Sequence, residues 1–323
     1  MIKDEVQWMK DTRRITEGAL MTGVYLLELL LILFLPGIVG SLLLFTLPIP
    51  FVFYSYRHGW KAGGLMLIAV VIFALLFATV FSLPITLLTG VGGIFAGTAM
   101  YHKRSSYETW AVGSIGFIIG IVAVYLLSQL FLGVSWAEQI RVSLDEAFTI
   151  TERMLGTFGG EEQMQEQLEG LRQQIETLPD LIPSLIAILG IIYAFVSQWL
   201  SYKLINRVEG KKFHFPAFRN FTLPTSVLWY YFFALILNYA FAAGDGIGYL
   251  AAINVFTLTG TFLIVQGFAF IAFYTHVKRK SKALPILAIV GCVFLPTILL
   301  YLVRILGIID IGFSLRERMQ TKK

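Results

Sequence analysis

Nine apolar runs, at residues 18–35, 38–56, 63–82, 83–101, 110–133, 181–202, 222–242, 248–274 and 284–306, dominate the chain. A helix needs about 20 such residues to cross the hydrocarbon core of a bilayer. The rest of the composition agrees. Of 323 residues, 57% are hydrophobic and 14% charged, against about 25% charged in a soluble domain, and the mean hydropathy is +0.76. A soluble chain of this length lacks the interior to hide that surplus. A soluble enzyme, a nucleic-acid-binding domain and a disordered chain are therefore excluded. The expected fold is all-α, a polytopic transmembrane helical bundle of about eight or nine spans. The run at 83–101 is short and glycine-rich, so a re-entrant segment is the alternative there.

Several runs are joined by short links holding Pro36-Gly37, Pro84 or Gly244-Asp245-Gly246, where Pro and Gly end helices and permit sharp turns. Lys and Arg alternate along the chain. Seventeen of the 25 fall in 1–17, 57–62, 102–109, 203–221 and 276–283, and the short turns on the opposite side carry none. Basic loops are retained on the cytoplasmic side. The N-terminus is thus expected inside a bacterial cytoplasmic membrane, with the first span retained rather than cleaved as a signal peptide. The basic tail is the misfit, because nine spans would leave it outside. Either the rule relaxes at the chain end or one run is not a full crossing.

Residues 134–180 are not membrane-like, with ten acidic and three basic residues. Ile140, Leu144, Ala147, Thr151, Met154 and Phe158 follow a 4-3 alternation, and Met164, Leu168, Leu171, Ile175 and Leu178 repeat it after Gly159-Gly160. Both have the 3.5-residue mean period of a helix seam. The segment is expected to be an acidic extracytoplasmic amphipathic helical hairpin, turned at the glycine pair and stopped at Pro179. The chain divides on this reading into an N-terminal transmembrane bundle (1–133, about five spans), the hairpin (134–180), and a C-terminal bundle (181–323, about four spans) with a basic tail.

No HExxH, GxxxxGK[ST], CxxC or GxSxG signature is present, so no catalytic residue, metal site or cofactor is expected and the chain reads as a non-enzyme. Cys292 is the single cysteine, which excludes an intrachain disulfide. His58, His102, His214 and His276 stand apart at span ends and read as interfacial residues. Polar groups within spans are the informative ones, because they are costly in lipid. Glu28 lies about 16 Å along the first span from Glu17 at about 1.5 Å per residue. It reads either as a ligand or proton site or as a carboxyl hydrogen-bonded to a neighbouring helix. Asn238, Asn254, Gln266 and Arg304 complete a candidate polar pocket with Glu28; interhelical hydrogen bonding and snorkelling are the alternative for each. Pro48-Ile49-Pro50 removes two helix donors and must kink or unwind the second span. Gly93 with Gly97, and Gly116 with Gly120, are small-residue pairs suited to close helix packing. Ala19 and Gly23 form a similar small face on the first span, suited to contact with another helix or protein.

The opening stretch TRRITEGALMTGVYLLELLLILFLP, followed by PIPFVFYSYRHGWKAGG, resembles the YybS-like family of uncharacterised bacterial integral membrane proteins. The resemblance rests on residues 11–135, on a basic pair before a small-residue helix face and on Arg57-x-Gly59-x-Lys61-x-Gly63 after a Pro-rich span. That N-terminal layout is in turn similar to the S components of energy-coupling-factor transporters, six-helix proteins that capture a vitamin or metal from outside. The resemblance implies that Ala19 and Gly23 match the face contacting a transmembrane coupling protein, and that the chain binds or transports a small solute with partner subunits. It departs from that pattern in its greater length, its outer hairpin and the lack of a recognisable vitamin-binding motif. A looser similarity to the cell-shape scaffold protein of the MreD type implies the competing function, a non-transporting membrane scaffold of the cell envelope. The expected partners are the lipid bilayer, a small solute and membrane proteins, with no nucleic acid.

Overall fold

The computed structural model describes residues 2–35, 37–133, 135–157, 168, 170, 172, 177–241, 246–281 and 283–321, with side chains from Thr12 onward. The described residues form twelve α-helices and no strand, as the apolar runs require. They divide into two compact units, residues 1–172 with 185–215 and residues 173–184 with 216–323. The first unit thus adds the helix after the acidic segment to the helices before it, whereas the sequence division groups that helix with the C-terminal bundle.

In the first unit, α1 (Ile2–Phe34) leads through Gly37 into the short α2 (Ile38–Leu43). Residues 44–48 are turns, and α3 (Ile49–Phe77) follows. The second span is therefore broken where Pro48 and Pro50 predict. Proline at 48 cannot donate to the carbonyl one turn back. That carbonyl, Leu44 O, instead accepts the hydroxyl of Tyr193.

α3 is two arms, 49–58 and 60–77, meeting at Gly59 in the left-handed region (φ 78°), which glycine adopts at little cost. The arms fold back on each other. A Cβ on Gly63 would overlap Ser55 Oγ, whereas eight residues of straight helix would separate them by about 12 Å. Leu47, Phe51 and Tyr54 of one side pack with Ala62, Met66, Val70 and Ala74 of the other around Tyr25 and Leu29 of α1. The hairpin at 57–62 is thus where the basic turn in the sequence places it.

α4 (Leu83–Tyr101) is a 19-residue helix and not a re-entrant segment. Its Gly93 and Gly97 face the first arm of α3, with no room for a Cβ against Phe51, Pro48 O and Val52 O. α5 (Ser106–Leu132) starts on a capping box between Ser105 and Glu108, two orphan donors satisfied reciprocally. Its Gly116 and Gly120 lie against Gly92, Phe95 and Leu88 of α4. Both glycine pairs are therefore packing devices, as expected from their spacing. α6 (Trp136–Thr157) follows, with Trp136 Nε1 donating to Ser128 Oγ at 2.8 Å. Phe148 is its buried residue, while Thr151 and Met154 are exposed; the inward line runs in steps of four and departs from the expected seam after Leu144. Arg172 returns to Asp145 of α6 at 3.1 Å. The glycine turn at 159–160 and most of the expected second hairpin helix lie outside the described residues. α7 (Ile182–Glu209) packs its residue Gly190 on Ile118 of α5 and donates Gln198 Nε2 to Ser106 O at 3.0 Å.

In the second unit, α8 (Ser226–Ala240) runs antiparallel to α9 (Ile247–Val277), since Tyr231 stacks on Phe256 and Leu228 meets Leu263. The Gly244-Asp245 link lies outside the described residues. The run at 284–306 is not one span. It is α10 (Ala283–Phe294) and α11 (Pro296–Gly312), broken at Leu295 (φ −130°, ψ 62°). At about 1.5 Å per residue, α10 reaches only about 18 Å, short of an approximately 30 Å hydrocarbon core. α11 then runs parallel to α9: Arg304 lies beside Gly260, Gly307 against Leu263 O, and Asp310 on Gln266. The pair is a hairpin that returns toward the end where it began, and Arg316, just after it at the start of α12 (Leu315–Thr321), donates to Arg219 O at 2.9 Å. A run that is not a full crossing is one of the two alternatives that the basic tail leaves open.

Candidate functional site

Two carboxyls on α1, eleven residues apart, have opposite surroundings. Glu17 is crowded by basic side chains: Arg13 Nε at 2.9 Å, Arg57 Nη1 at 3.0 Å and His58 Nε2 at 2.8 Å. Arg57 also reaches Glu209 of α7 with its Nε at 2.6 Å, lies over the Phe53 ring and is three-quarters buried. Tyr56 donates to the same carboxylate at 3.2 Å. The turn at Gly59 aims Arg57 and His58 at α1 and α7 together. Opposite charges at this spacing, joined by charge-assisted hydrogen bonds, clamp three helices. In the sequence His58 reads as an isolated interfacial residue and the cluster is not apparent, although Glu209 is the one acidic residue of the basic segment 203–221.

Glu28 has no ion pair among the described residues. It is half-buried, and its Oε1 accepts the hydroxyl of Thr46, which also donates toward Leu43 O at 2.8 Å. Thr46 stands in the unwound stretch between α2 and α3. One turn along α1, fully buried Tyr25 exchanges a hydrogen bond with Thr89 of α4 at 3.0 Å. The Tyr193 hydroxyl donates to Leu44 O, in the same unwound stretch as Thr46, and its ring packs edge-on against Phe117. Glu28 with Thr46, Tyr25 with Thr89, and Tyr193 with Leu44 O are thus three polar contacts that involve α1, the broken span, α4 and α7 of the first unit. Ala19 and Gly23 lie on the outer side of α1, with open space at Gly23.

The other residues singled out in the sequence lie in the second unit and are spread along its helices. Asn254 accepts Ser184 N–H at 2.8 Å and donates to Asp180 O and Leu250 O. Gln266, twelve residues further along α9, accepts Leu223 N–H at 3.0 Å and donates to Asp310 at 2.6 Å. Arg304 lies over the Phe256 ring, and its Nε has no hydrogen-bond partner among the described residues. Asn238 is partly exposed on α8. Buried Asp310, which the sequence reading passed over, is held by Arg316 at 2.8 Å. Among the described residues no group of three His, Cys, Asp or Glu could hold a metal ion.

A family model described as "Predicted membrane protein (DUF2232)" matches residues 24–311. The chain is also similar to a Bacillus subtilis (strain 168) protein named "Uncharacterized protein YybS", 27% identical over 312 residues that cover 97% of this chain and all of that one. The likeness read from the N-terminal residues thus extends over nearly the whole chain. No solved structure matches it.

Proposed function

Because the chain belongs to the DUF2232 family of predicted membrane proteins, we propose that it binds a small solute within the bilayer at Glu28, in the manner of an S component with partner subunits. The observation that carries this reading is the Glu28–Thr46 contact: a carboxyl within an apolar span, with no cation beside it among the described residues, bonded to a hydroxyl on an unwound stretch of helix. Intramembrane carboxyls are expensive and mark ligand or ion pathways, and discontinuous helices line substrate sites in transporters. Tyr25 and Thr89 carry further hydroxyls one turn along α1, and Tyr193 bonds the same unwound stretch that holds Thr46. The first unit also has six apolar helical segments besides the amphipathic α6, counting the broken span and the second arm of α3 separately, the number expected of an S component. The open Ala19 and Gly23 face is then the contact for a coupling protein, and the chain itself performs no catalytic step.

The location that fits is a bacterial cytoplasmic membrane, with the N-terminus inside by the distribution of Lys and Arg. On this reading the fold-back at Leu295 returns Arg316 and Arg318 to the end of the second unit that carries Arg219, in a basic segment assigned to the inside by the same rule. Single cysteines at Lys211 and Glu317, in a Cys292→Ala background, should then both react with an impermeant thiol reagent only after permeabilisation. Labelling of one from outside in intact cells contradicts the topology.

The solute reading is tested by thermal unfolding of the purified protein with a panel of vitamins and divalent metal salts, in wild type and Glu28→Gln. A solute present at about 100 times its Kd stabilises by about 2.7 kcal/mol. The expected result is a solute that raises the midpoint of wild type and not of the variant; the same rise in both contradicts the reading. A membrane scaffold is the second reading, favoured by the exposed acidic surface of α6, and it predicts that Glu28→Gln is silent while deletion of 136–178 releases a partner protein.

A further inference from the structure

The second unit contains an open cleft of about 890 Å³ where the end of α9 meets the start of α10. Its walls carry Arg219, His276, Arg279 and Lys280, and among the described residues no acidic side chain lines it. Among the described residues none of these four is in an ion pair. The rest of the lining is mainly apolar, with Phe218, Val277 and Pro285. The fold builds this combination at the end of a membrane-length helix. α9 stops at Val277, Arg279 turns with a left-handed backbone (φ 50°), and the chain re-enters at Pro285. Arg219 is held against this end because its carbonyl accepts Arg316, which is itself fixed by Asp310.

We infer that this cleft binds a phosphate group, with the headgroup of an anionic phospholipid as the source that fits both walls. Three permanent cations and a histidine supply charge-assisted hydrogen bonds to phosphate oxygens. The apolar side accommodates the first methylenes of an acyl chain, which a free inorganic anion would leave unused. Basic pockets at the ends of transmembrane helices recognise headgroups by this division of labour, each basic residue near an anionic surface contributing roughly a fivefold preference. The inference is independent of Glu28, which belongs to the other unit.

The test is native mass spectrometry of the full chain in mild detergent with phosphatidylglycerol, with phosphatidylcholine, and with phosphatidylglycerol plus excess inorganic phosphate. Wild type should retain phosphatidylglycerol over phosphatidylcholine, and Arg219→Gln/Arg279→Gln/Lys280→Gln should weaken that preference by roughly a hundredfold. Ala272→Trp, which fills the cleft while keeping every charge, should lose it as well and stands in if the triple variant does not fold. Retention unaffected by inorganic phosphate identifies the lipid as the source; displacement by it identifies free phosphate bound at the same residues. Equal retention of the two lipids by wild type overturns the inference, as does a preference that survives Ala272→Trp.

Discussion

Glu17 and Glu28 sit on one helix, about 16 Å apart, yet one is met by two arginines and a histidine and the other by a threonine hydroxyl. The difference separates two uses of a carboxylate. Around Glu17 every charge has an opposite within hydrogen-bond reach, and the group holds α1, α3 and α7 together. Around Glu28 the acceptor capacity of a carboxyl is engaged by one threonine, which leaves lone pairs for something else. The first arrangement is complete without a solute. The second is chemically open, and it stands where a helix has been broken.

The comparison is sharpest where one member can be broken alone. Arg57→Ala should have the largest effect, because it removes the one cation that Glu17 and Glu209 share. Between the limits for exposed pairs and for buried pairs that lose one partner, the cost is about 2 kcal/mol, read as a lowered midpoint of thermal unfolding in detergent. An unchanged midpoint would mean that the clamp is incidental. Gly93→Ala comes next at about 1–2 kcal/mol. The added Cβ would lie 2.7 Å from Phe51 Cβ and 2.9 Å from Pro48 O, so it pushes the unwound stretch while leaving Glu17 alone, and solute-dependent stabilisation should fall with it. Thr46→Val should cost about 1 kcal/mol, the value of one hydrogen bond. Glu28→Gln should cost least, under about 1 kcal/mol, because the amide oxygen still accepts the threonine hydroxyl. A larger loss for Glu28→Gln than for Arg57→Ala would invert the comparison.

Much of this fold is legible in the sequence for simple reasons. Apolar length marks the helices, Pro48 and Pro50 mark the break because neither can donate, and basic residues beside Gly59 mark the hairpin turn. The fold-back at Leu295 is not legible from hydropathy, since both its arms are apolar and a single proline, Pro296, interrupts them. Only the basic tail on the wrong side hinted at it. Glu28 is visible as a charge in an apolar run, but its partner Thr46 belongs to another segment. The clamp needs residues 17, 57 and 209 brought together, and no local spacing encodes that. Asn254 and Gln266 look like pocket residues in the sequence; in the structure the groups they bond are mainly backbone amides and carbonyls of neighbouring segments.

The most direct measurement is native mass spectrometry of the protein extracted gently from its own membrane, as wild type, Glu17→Gln and Glu28→Gln side by side. The account predicts a small-molecule adduct on wild type that persists in folded Glu17→Gln and disappears in Glu28→Gln. An adduct that survives Glu28→Gln, or a wild type carrying only exchangeable lipid, would contradict it.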